Sequence, residues 1–321
     1  MSRFEHYSRG IAESYEQTIS HLFGGDLSIY IGLIETLLQQ TEFHPEDTVI
    51  ELAAGTGIAT AQILRRPGHA LYITDHSRDM LQLAQLQILD LGDGYTSDGW
   101  ELRERILDQD HDIAFSSFTY HRAYEKNIIF LILDAYDVAD APDLENITVN
   151  KMVLSNAFLS LSDPAKVLKA AYRRLAEGGE LIFNCKLKLR PGEKSLRDVI
   201  NDLLLEEGKR RKDLNLPGLL IHSDNTDIAP RYSRKHIEKM VEEAGFGVCF
   251  TEEKDVHLWP GAALKYLQYA RERVEKATAG VSDSRYHDLK IKISNRLFLH
   301  PNMPFNLPTL LRREGFFVAK K

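Results

Sequence analysis

The sequence predicts an α/β fold built around a parallel sheet, because short apolar segments alternate with segments of helical periodicity along residues 48–184. Five of the apolar segments have the length and composition of strands. A turn of small residues, 53–57 (AAGTG), follows the first strand and precedes a helical pattern. Strand, tight turn and helix in succession are typical of parallel sheets, whose neighbouring strands need long crossover connections.

Each element of this alternation has a local signal. The predicted strands are residues 48–53, 70–74, 127–133, 151–155 and 180–184. The segment before residue 40 has helical spacing, with one apolar face formed by Ile29, Leu33, Leu37 and Leu38. Further helices are predicted over residues 58–64, after the N-cap Ser77, and over 165–175, where Pro164 occupies the first turn. The helix after Ser77 carries an apolar stripe of Met80, Leu83, Ala84, Ile88 and Leu91.

Two regions depart from the alternation. Residues 91–127 are interpreted as an insertion that contains a charged helical segment around 101–109. In the last third of the chain, residues 233–244 predict an amphipathic helix, 246–251 and 315–319 predict strands, and 261–276 predict a further helical insertion.

Composition and charge restrict the classes of protein. The 321 residues are 43% hydrophobic and 27% charged, as in an average globular protein. A net charge of -7 disfavours nucleic acid as a partner, because the phosphate backbone is also negative. Cys185 and Cys249 lack the spacing of metal ligands or of a disulfide framework, so no metal site is predicted and a cytoplasmic location is expected. No segment approaches the ~18 apolar residues of a membrane span.

Polar side chains follow the ends of successive predicted strands, at Glu51, Asp75, Asp134 and Asn156. The carboxyl ends of parallel strands meet at one edge of an open sheet, which is where such sheets bind ligands. Burial of an unpaired Glu51 would be costly, so a cation or hydrogen-bond donor is expected beside it. An acidic group at the position of Asp75 can accept hydrogen bonds from ribose hydroxyls, and its removal should spare the fold if the carboxylate faces solvent.

Four ordered motifs run through this part of the sequence: residues 49–57 (VIELAAGTG), 73–81 (ITDHSRDML), 133–137 (LDAYD), and 155–159 (SNAFL) with 176–183 (AEGGELIF). Together they resemble the motifs of class I S-adenosylmethionine-dependent methyltransferases of the small-molecule type. The resemblance covers about residues 41–185 and resumes at 232–250 and 316–320. It implies a Rossmann-like, doubly wound sheet of seven strands, six parallel and one antiparallel, with helical lid insertions.

The resemblance also implies S-adenosyl-L-methionine as the cofactor. It places Glu51 near the methionine amino group, Asp75 on the ribose, and Asp134 and Ala135 at the adenine. The full set of cofactor-binding residues that it implies is Tyr15, Glu51, Ala53, Gly55, Gly57, Asp75, His76, Met80, Asp134, Ala135 and Asn156. No catalytic base is identified, and the candidates for a catalytic role are Tyr15, Asn156 and His222.

The predicted function is transfer of a methyl group to a nucleophilic atom of a small-molecule acceptor by in-line displacement, without a metal. Asn156 is followed by Ala-Phe-Leu and not by the Pro-Pro-aromatic run of amino-directed nucleic-acid methyltransferases. One alternative is a catalytically silent S-adenosylmethionine-binding protein with a regulatory or structural role. A nicotinamide dehydrogenase is a third interpretation, but it would prefer a complete GxGxxG run, whereas residues 53–58 are AAGTGI. Within the motif that resembles methyltransferases, Ala53 stands at the commonest first glycine, which is a tolerated variant.

The predicted domain organisation places the cofactor core between variable segments. These are an N-terminal helical lid (1–40), the core (41–185) with its insertion (91–127), a lid insertion (186–231), a continuation of the core (232–257), a helical insertion over the active site (258–312) and a final core strand (313–321). The insertion at 91–127 is a candidate for a substrate surface or for the interface of a homodimer.

Overall fold

A computed structural model of the chain describes residues 27–93, 100–107, 114–120, 126–190, 232–257 and 311–321, together with positions 209 and 213. The helices in these ranges are α1 (Ser28–Leu38), α2 (Ile58–Ile63), α3 (Arg78–Asp93), α4 (Pro164–Arg174) and α5 (Arg234–Glu243). The strands are β1 (Thr48–Glu51), β2 (Ala70–Asp75), β3 (Trp100–Leu107), β4 (Ala114–Tyr120), β5 (Lys126–Ile132), β6 (Val149–Leu154), β7 (Leu175–Lys186), β8 (Gly247–His257) and β9 (Leu311–Lys320).

The described strands form a 9-stranded sheet in the order β3-β4-β5-β2-β1-β6-β7-β9-β8. The neighbours among β5, β2, β1, β6 and β7 pair in parallel. Strand β9 runs antiparallel to both β7 and β8, so β8 points in the same direction as the parallel set. These seven strands confirm the predicted core of six parallel strands and one antiparallel strand.

The insertion adds two strands that the sequence analysis did not predict. Strand β3 pairs antiparallel with β4, and β4 pairs antiparallel with β5, so the hairpin extends one edge of the sheet. The prediction of a helical segment around residues 101–109 is wrong. Trp100 and Leu102 are spaced by the two-residue period of a strand, but a register shift between Leu102 and Arg105 breaks this period, and the many charged residues around it obscured the pattern.

The core consists of two apolar clusters, one on each face of the sheet. Helices α1, α2 and α3 contribute to the first cluster, and α4 and α5 contribute to the second. Strand β9 shows the alternation directly, since Phe316 lies in the first cluster and its neighbour Phe317 lies in the second. One predicted core position on α1 is wrong: Ile29 is 39% exposed, because it lies at the margin of the buried stripe centred on Tyr30 and Leu37.

Gly32 lies inside α1 and lowers the stability of that helix. A Cβ atom at this position would meet nothing within 4 Å. Glycine in a helix interior costs about 0.5–1 kcal/mol relative to alanine. We therefore expect Gly32→Ala to raise the free energy of unfolding by about this amount in urea denaturation. Gly55, whose φ is +59°, is the matched control, and alanine there should lower stability. A Gly32→Ala protein less stable than wild type would contradict the prediction.

Candidate functional site

A cavity of about 180 Å³ lies at the carboxyl edge of the parallel strands. The segments that follow β5, β2, β1 and β6 contribute to its lining. In the order of these strands across the sheet, the residues at their carboxyl ends that line the cavity are Asp134, Asp75, Glu51 and Asn156. The structure therefore brings together at one cavity the four polar residues that the sequence placed at strand ends.

Most of the implied cofactor residues line this cavity, and some do not. Those that line it are Glu51, Ala53, Gly55, Asp75, His76, Met80, Asp134 and Asn156. Gly57 does not contribute to the lining but forms the N-cap of α2, and Ala135 is buried in the second apolar cluster. Tyr15 and His222 lie outside the described residues.

The cavity also contains residues that the sequence analysis missed: Tyr30, Ala54, Thr56, Ile58, Ala59, Tyr136, Ser155, Ala157, Ser160, Leu161 and Ser162. The hydroxyl residues that adjoin and follow Asn156 were a signal that could have been used. Tyr30 had no comparable signal, because its place at the cavity depends on how α1 packs across the sheet.

Glu51 is the last residue of β1 and is 1% exposed. The Thr60 hydroxyl on α2 donates a hydrogen bond to Glu51 Oε2 at 2.6 Å, which confirms the expectation of a donor beside this carboxyl group. Burial raises the pKa of Glu51 to about 8, while the Thr60 hydrogen bond lowers it and the charge of Asp75 raises it by smaller amounts. The Glu51 carboxyl group is therefore largely protonated at neutral pH in the protein alone.

Asp75 ends β2 and holds the glycine turn in place. Its Oδ2 atom accepts the Gly55 N–H at 2.9 Å, and its Oδ1 atom accepts the Ser77 N–H at 2.8 Å. Asp75 is 5% exposed, and burial raises the pKa of its carboxyl group against the effect of these two bonds. The sequence predicted that removal of Asp75 would leave the fold stable only if its carboxylate faces solvent. The carboxylate is buried, so its removal is expected to destabilise the fold.

The turn between β1 and α2 has a backbone that few residues adopt. Ala53, Gly55 and Gly57 have φ values of 52°, 59° and 91°. The left-handed conformation at Ala53 explains why glycine is the commonest residue there in similar motifs. A Cβ atom on Gly55 would meet nothing within 4 Å, so the space above this residue is open to a ligand.

Thr56 lines the cavity and has an unpaired hydroxyl group. Its Oγ1 atom is buried and has no hydrogen-bond partner among the described residues. Buried hydroxyl groups are almost always paired, and rotation of the Thr56 side chain toward the cavity would let this hydroxyl hydrogen-bond a bound molecule. The open space over Gly55, the acidic groups and this hydroxyl suit a ligand that carries hydroxyl and ammonium groups.

Two further features are absent from the part of the chain that the structure describes. It contains no group of three or more His, Cys, Asp or Glu side chains that could hold a metal ion. None of its helices is both long enough and apolar enough to cross a membrane.

The sequence matches a family model described as a methyltransferase domain over residues 28–249. The chain belongs to this methyltransferase family. The match includes Glu51, Asp75, Asp134 and Asn156, the four residues that meet at the cavity. The protein is an S-adenosylmethionine-dependent methyltransferase. A search of curated proteins finds no match.

Solved structures resemble this methyltransferase in fold. BH2331 from Bacillus halodurans, assigned as a methyltransferase, is 14% identical with a TM-score of 0.50, over 90% of this chain and 98% of that chain. Phosphoethanolamine N-methyltransferase 2 from Haemonchus contortus, solved with S-adenosyl-L-methionine, is 15% identical with a TM-score of 0.50, over 99% of this chain and 58% of that chain. The cyclase SpnF is 12% identical with a TM-score of 0.51, over 98% and 96%. The TM-scores show a common fold, but at identities this low the substrate of a similar structure does not identify the substrate of this chain.

Proposed function

We propose that this methyltransferase transfers the methyl group of S-adenosylmethionine to a nucleophilic atom of a small-molecule acceptor by in-line displacement, in the cytoplasm. The observation that carries the proposal is the order of Asp134, Asp75, Glu51 and Asn156 along one cavity. These residues lie at or just after the carboxyl ends of four adjacent strands, so they span three inter-strand spacings, about 14 Å in all. An adenosine joined to an amino acid suits a site of this extent.

In the proposed orientation, Asp134 lies at the adenine and Asp75 at the ribose hydroxyls. Glu51 and Asn156 lie at the amino-acid end, because β1 and β6 are neighbours on the far side of β2 from Asp134. Gly57 contributes by allowing the turn to enter α2, and Ala135 contributes the backbone N–H that follows Asp134.

When bound, the cofactor supplies an electrophilic methyl group on a sulfonium. The residues of the chain bind and orient the two reactants, which is the main source of rate in a displacement that needs no covalent help from the protein. Ile58, Ala59 and Leu161 give the cavity apolar walls that exclude water from the reacting atoms. Asn156 cannot act as a base, because a side-chain amide does not take up a proton at neutral pH.

Three observations support a small-molecule acceptor over a nucleic acid. The chain has a net charge of -7, and the cavity lining includes Asp75 and Asp134. A phosphate backbone would approach this surface against electrostatic repulsion. The lining also includes hydroxyl groups of Ser155, Ser160 and Ser162, which can hydrogen-bond a polar metabolite.

The acceptor class can be tested with labelled S-adenosylmethionine and a cell extract divided into ultrafiltrate, protein and nucleic-acid fractions. We expect label to pass from the cofactor to a compound in the ultrafiltrate. Label in the nucleic-acid or protein fraction would overturn the small-molecule proposal. Absence of transfer to every fraction would favour the alternative of a catalytically silent binding protein.

Calorimetry distinguishes the proposed cofactor from a dinucleotide. We expect S-adenosylhomocysteine to bind with a dissociation constant in the micromolar range, about -8 kcal/mol, and NAD not to bind. The reason is that the turn and the acidic strand ends suit an adenosine without a pyrophosphate. NAD binding with no response to S-adenosylhomocysteine would contradict the proposed site.

We further propose that segments outside the core select the acceptor, because proteins of one fold differ mainly in such segments. These segments are residues 1–40, 186–231 and 258–312. Helix α1 belongs to the first of them and brings Tyr30 to the cavity. The insertion at 91–127 places the edge strand β3 at one end of the described sheet. An edge strand can pair with another chain, which supports its candidacy as a substrate or homodimer surface.

A further inference from the structure

Asn156 is held by a hydrogen-bonded network that extends behind the cavity. It follows β6 with a φ of 56°, a left-handed conformation that asparagine tolerates better than most residues. Its backbone N–H donates to Asn184 Oδ1 at 2.7 Å, and Asn184 Nδ2 donates to Asn156 Oδ1 at 2.8 Å. Asn184 Nδ2 also donates to Glu314 Oε1 at 2.9 Å. Asn184 therefore forms hydrogen bonds with both the backbone and the side chain of Asn156.

This network fixes which end of each amide is oxygen and which is nitrogen. A backbone N–H can only donate, so the Asn184 atom that faces it must be the carbonyl oxygen. The other end of the Asn184 amide is then a donor, and the Asn156 atom that faces it must be an oxygen. The Asn156 NH₂ group consequently lies at the other end of its amide, where it donates to Ser155 Oγ at 3.1 Å.

Glu314 secures this arrangement from the antiparallel strand. Glu314 is 0% exposed and Asn184 is 1% exposed, so their polar atoms need partners within the protein. In the β7–β9 pairing Asn184 lies opposite Phe316, which makes Glu314 its diagonal neighbour on the same face of the sheet. The positions directly opposite Glu314 on β7 and β8 are both lysines, Lys186 and Lys254. Buried polar groups are costly in a sheet core, and this pair contacts a residue of the cavity.

We propose that Asn184 and Glu314 are positioning residues that present Asn156 as a hydrogen-bond donor to the carboxylate of the cofactor's amino-acid portion. The inference rests on the proposed cofactor site, in which Asn156 and Glu51 flank that end of the ligand. A carboxylate only accepts hydrogen bonds, so the NH₂ group of Asn156 complements it and the carbonyl oxygen would repel it. Glu51 on the neighbouring strand complements the ammonium group.

The test compares two ligands, S-adenosylhomocysteine and 5′-methylthioadenosine, which share the adenosine and differ in the amino-acid portion. The double variant Asn184→Asp/Glu314→Gln reverses the polarity of the network. The carboxylate introduced at position 184 can still accept the Asn156 backbone N–H, and the amide introduced at position 314 can donate to that carboxylate. The Asn156 side chain must then turn so that its NH₂ group donates to the new carboxylate, which directs its carbonyl oxygen toward the ligand.

We expect this double variant to bind S-adenosylhomocysteine about tenfold or more weakly, the effect of losing a hydrogen bond to a charged group. Its affinity for 5′-methylthioadenosine should stay within about twofold of wild type, and its melting temperature should be close to that of wild type. Normal binding of S-adenosylhomocysteine, or an equal loss for both ligands, would overturn the inference. A merely structural role predicts no selectivity between the ligands.

Asn156→Asp provides a second variant with the network intact, because its carboxylate can still accept from Asn184. It should show the same selective loss, and it decides the question if the double variant does not fold. Asn150→Asp is the matched control, since Asn150 Oδ1 accepts the Thr48 N–H at 3.0 Å at the opposite edge of the sheet. It should bind both ligands normally.

Asp75→Ala tests the proposed cofactor site itself. This variant should bind both ligands more weakly and by the same factor, so a failure of the proposed cofactor site is distinguishable from a failure of this inference.

Discussion

Replacement of Asp75 by alanine is expected to weaken binding of S-adenosylhomocysteine by about 1.5–3 kcal/mol and to destabilise the folded protein as well. The Asp75 carboxylate accepts the backbone N–H groups of Gly55 and Ser77 in a site that is 5% exposed. Alanine leaves both part-buried donors without this partner, and an unsatisfied donor that water does not reach costs about 1–3 kcal/mol. Calorimetry measures the change in affinity, and urea denaturation measures the change in the free energy of unfolding.

Asp134→Ala is the matched control for the effect on stability. Asp134 also caps a short helical turn, with its Oδ1 atom accepting the Tyr136 N–H at 3.1 Å. That bond is exposed, so water can replace the carboxylate and the free energy of unfolding should change by less than about 1 kcal/mol. An Asp75→Ala protein with wild-type stability and wild-type affinity would show that Asp75 neither supports the turn nor contacts the ligand.

The strand ends and the glycine turn could be predicted from the sequence because each is a local pattern. Apolar segments that stop at Glu51 or Asp75 imply where a chain leaves a parallel sheet, and the topology then brings those ends to one edge. The role of Asp75 as the support of the turn was not predictable in the same way. That role depends on the φ angles of the turn and on a contact between residues 20 positions apart.

The partners of Asn156 were beyond sequence reasoning for a stronger reason. Glu314 lies 130 positions after Asn184, on a strand that enters the sheet antiparallel between β7 and β8. The apolar residues 315–319 predicted that final strand, but Glu314 just before them gave no indication that its carboxyl group is buried. The hairpin in the insertion illustrates the opposite error, since charged residues and a register shift in β3 concealed a strand that is present.

Glu51→Gln is expected to alter the pH dependence of stability, because the pKa of Glu51 is raised from 4.5 to about 8 by burial. Between these values the folded protein holds a proton at Glu51 that the unfolded chain has lost. The folded state therefore binds more protons, and wild-type stability falls as pH rises through this window, by at most about 5 kcal/mol. Glutamine can still accept the Thr60 hydrogen bond and does not titrate. Relative to wild type, Glu51→Gln should become progressively more stable from pH 5 to pH 8 in urea denaturation.

Glu180→Gln supplies a control of opposite sign. Burial alone would raise the pKa of Glu180, but hydrogen bonds from Lys151 and Thr41 and the charges of Lys151 and Lys320 lower it below 4.5. The folded protein then binds fewer protons at Glu180 than the unfolded chain, so this carboxylate contributes stability that is present above its unfolded pKa and is lost as pH falls through its folded pKa. Glu180→Gln should therefore be less stable than wild type at neutral pH and approach it in acid. If the stability difference for Glu51→Gln does not change between pH 5 and pH 8, the Glu51 carboxyl group is ionised in the folded protein, and a cation outside the described contacts must accompany it.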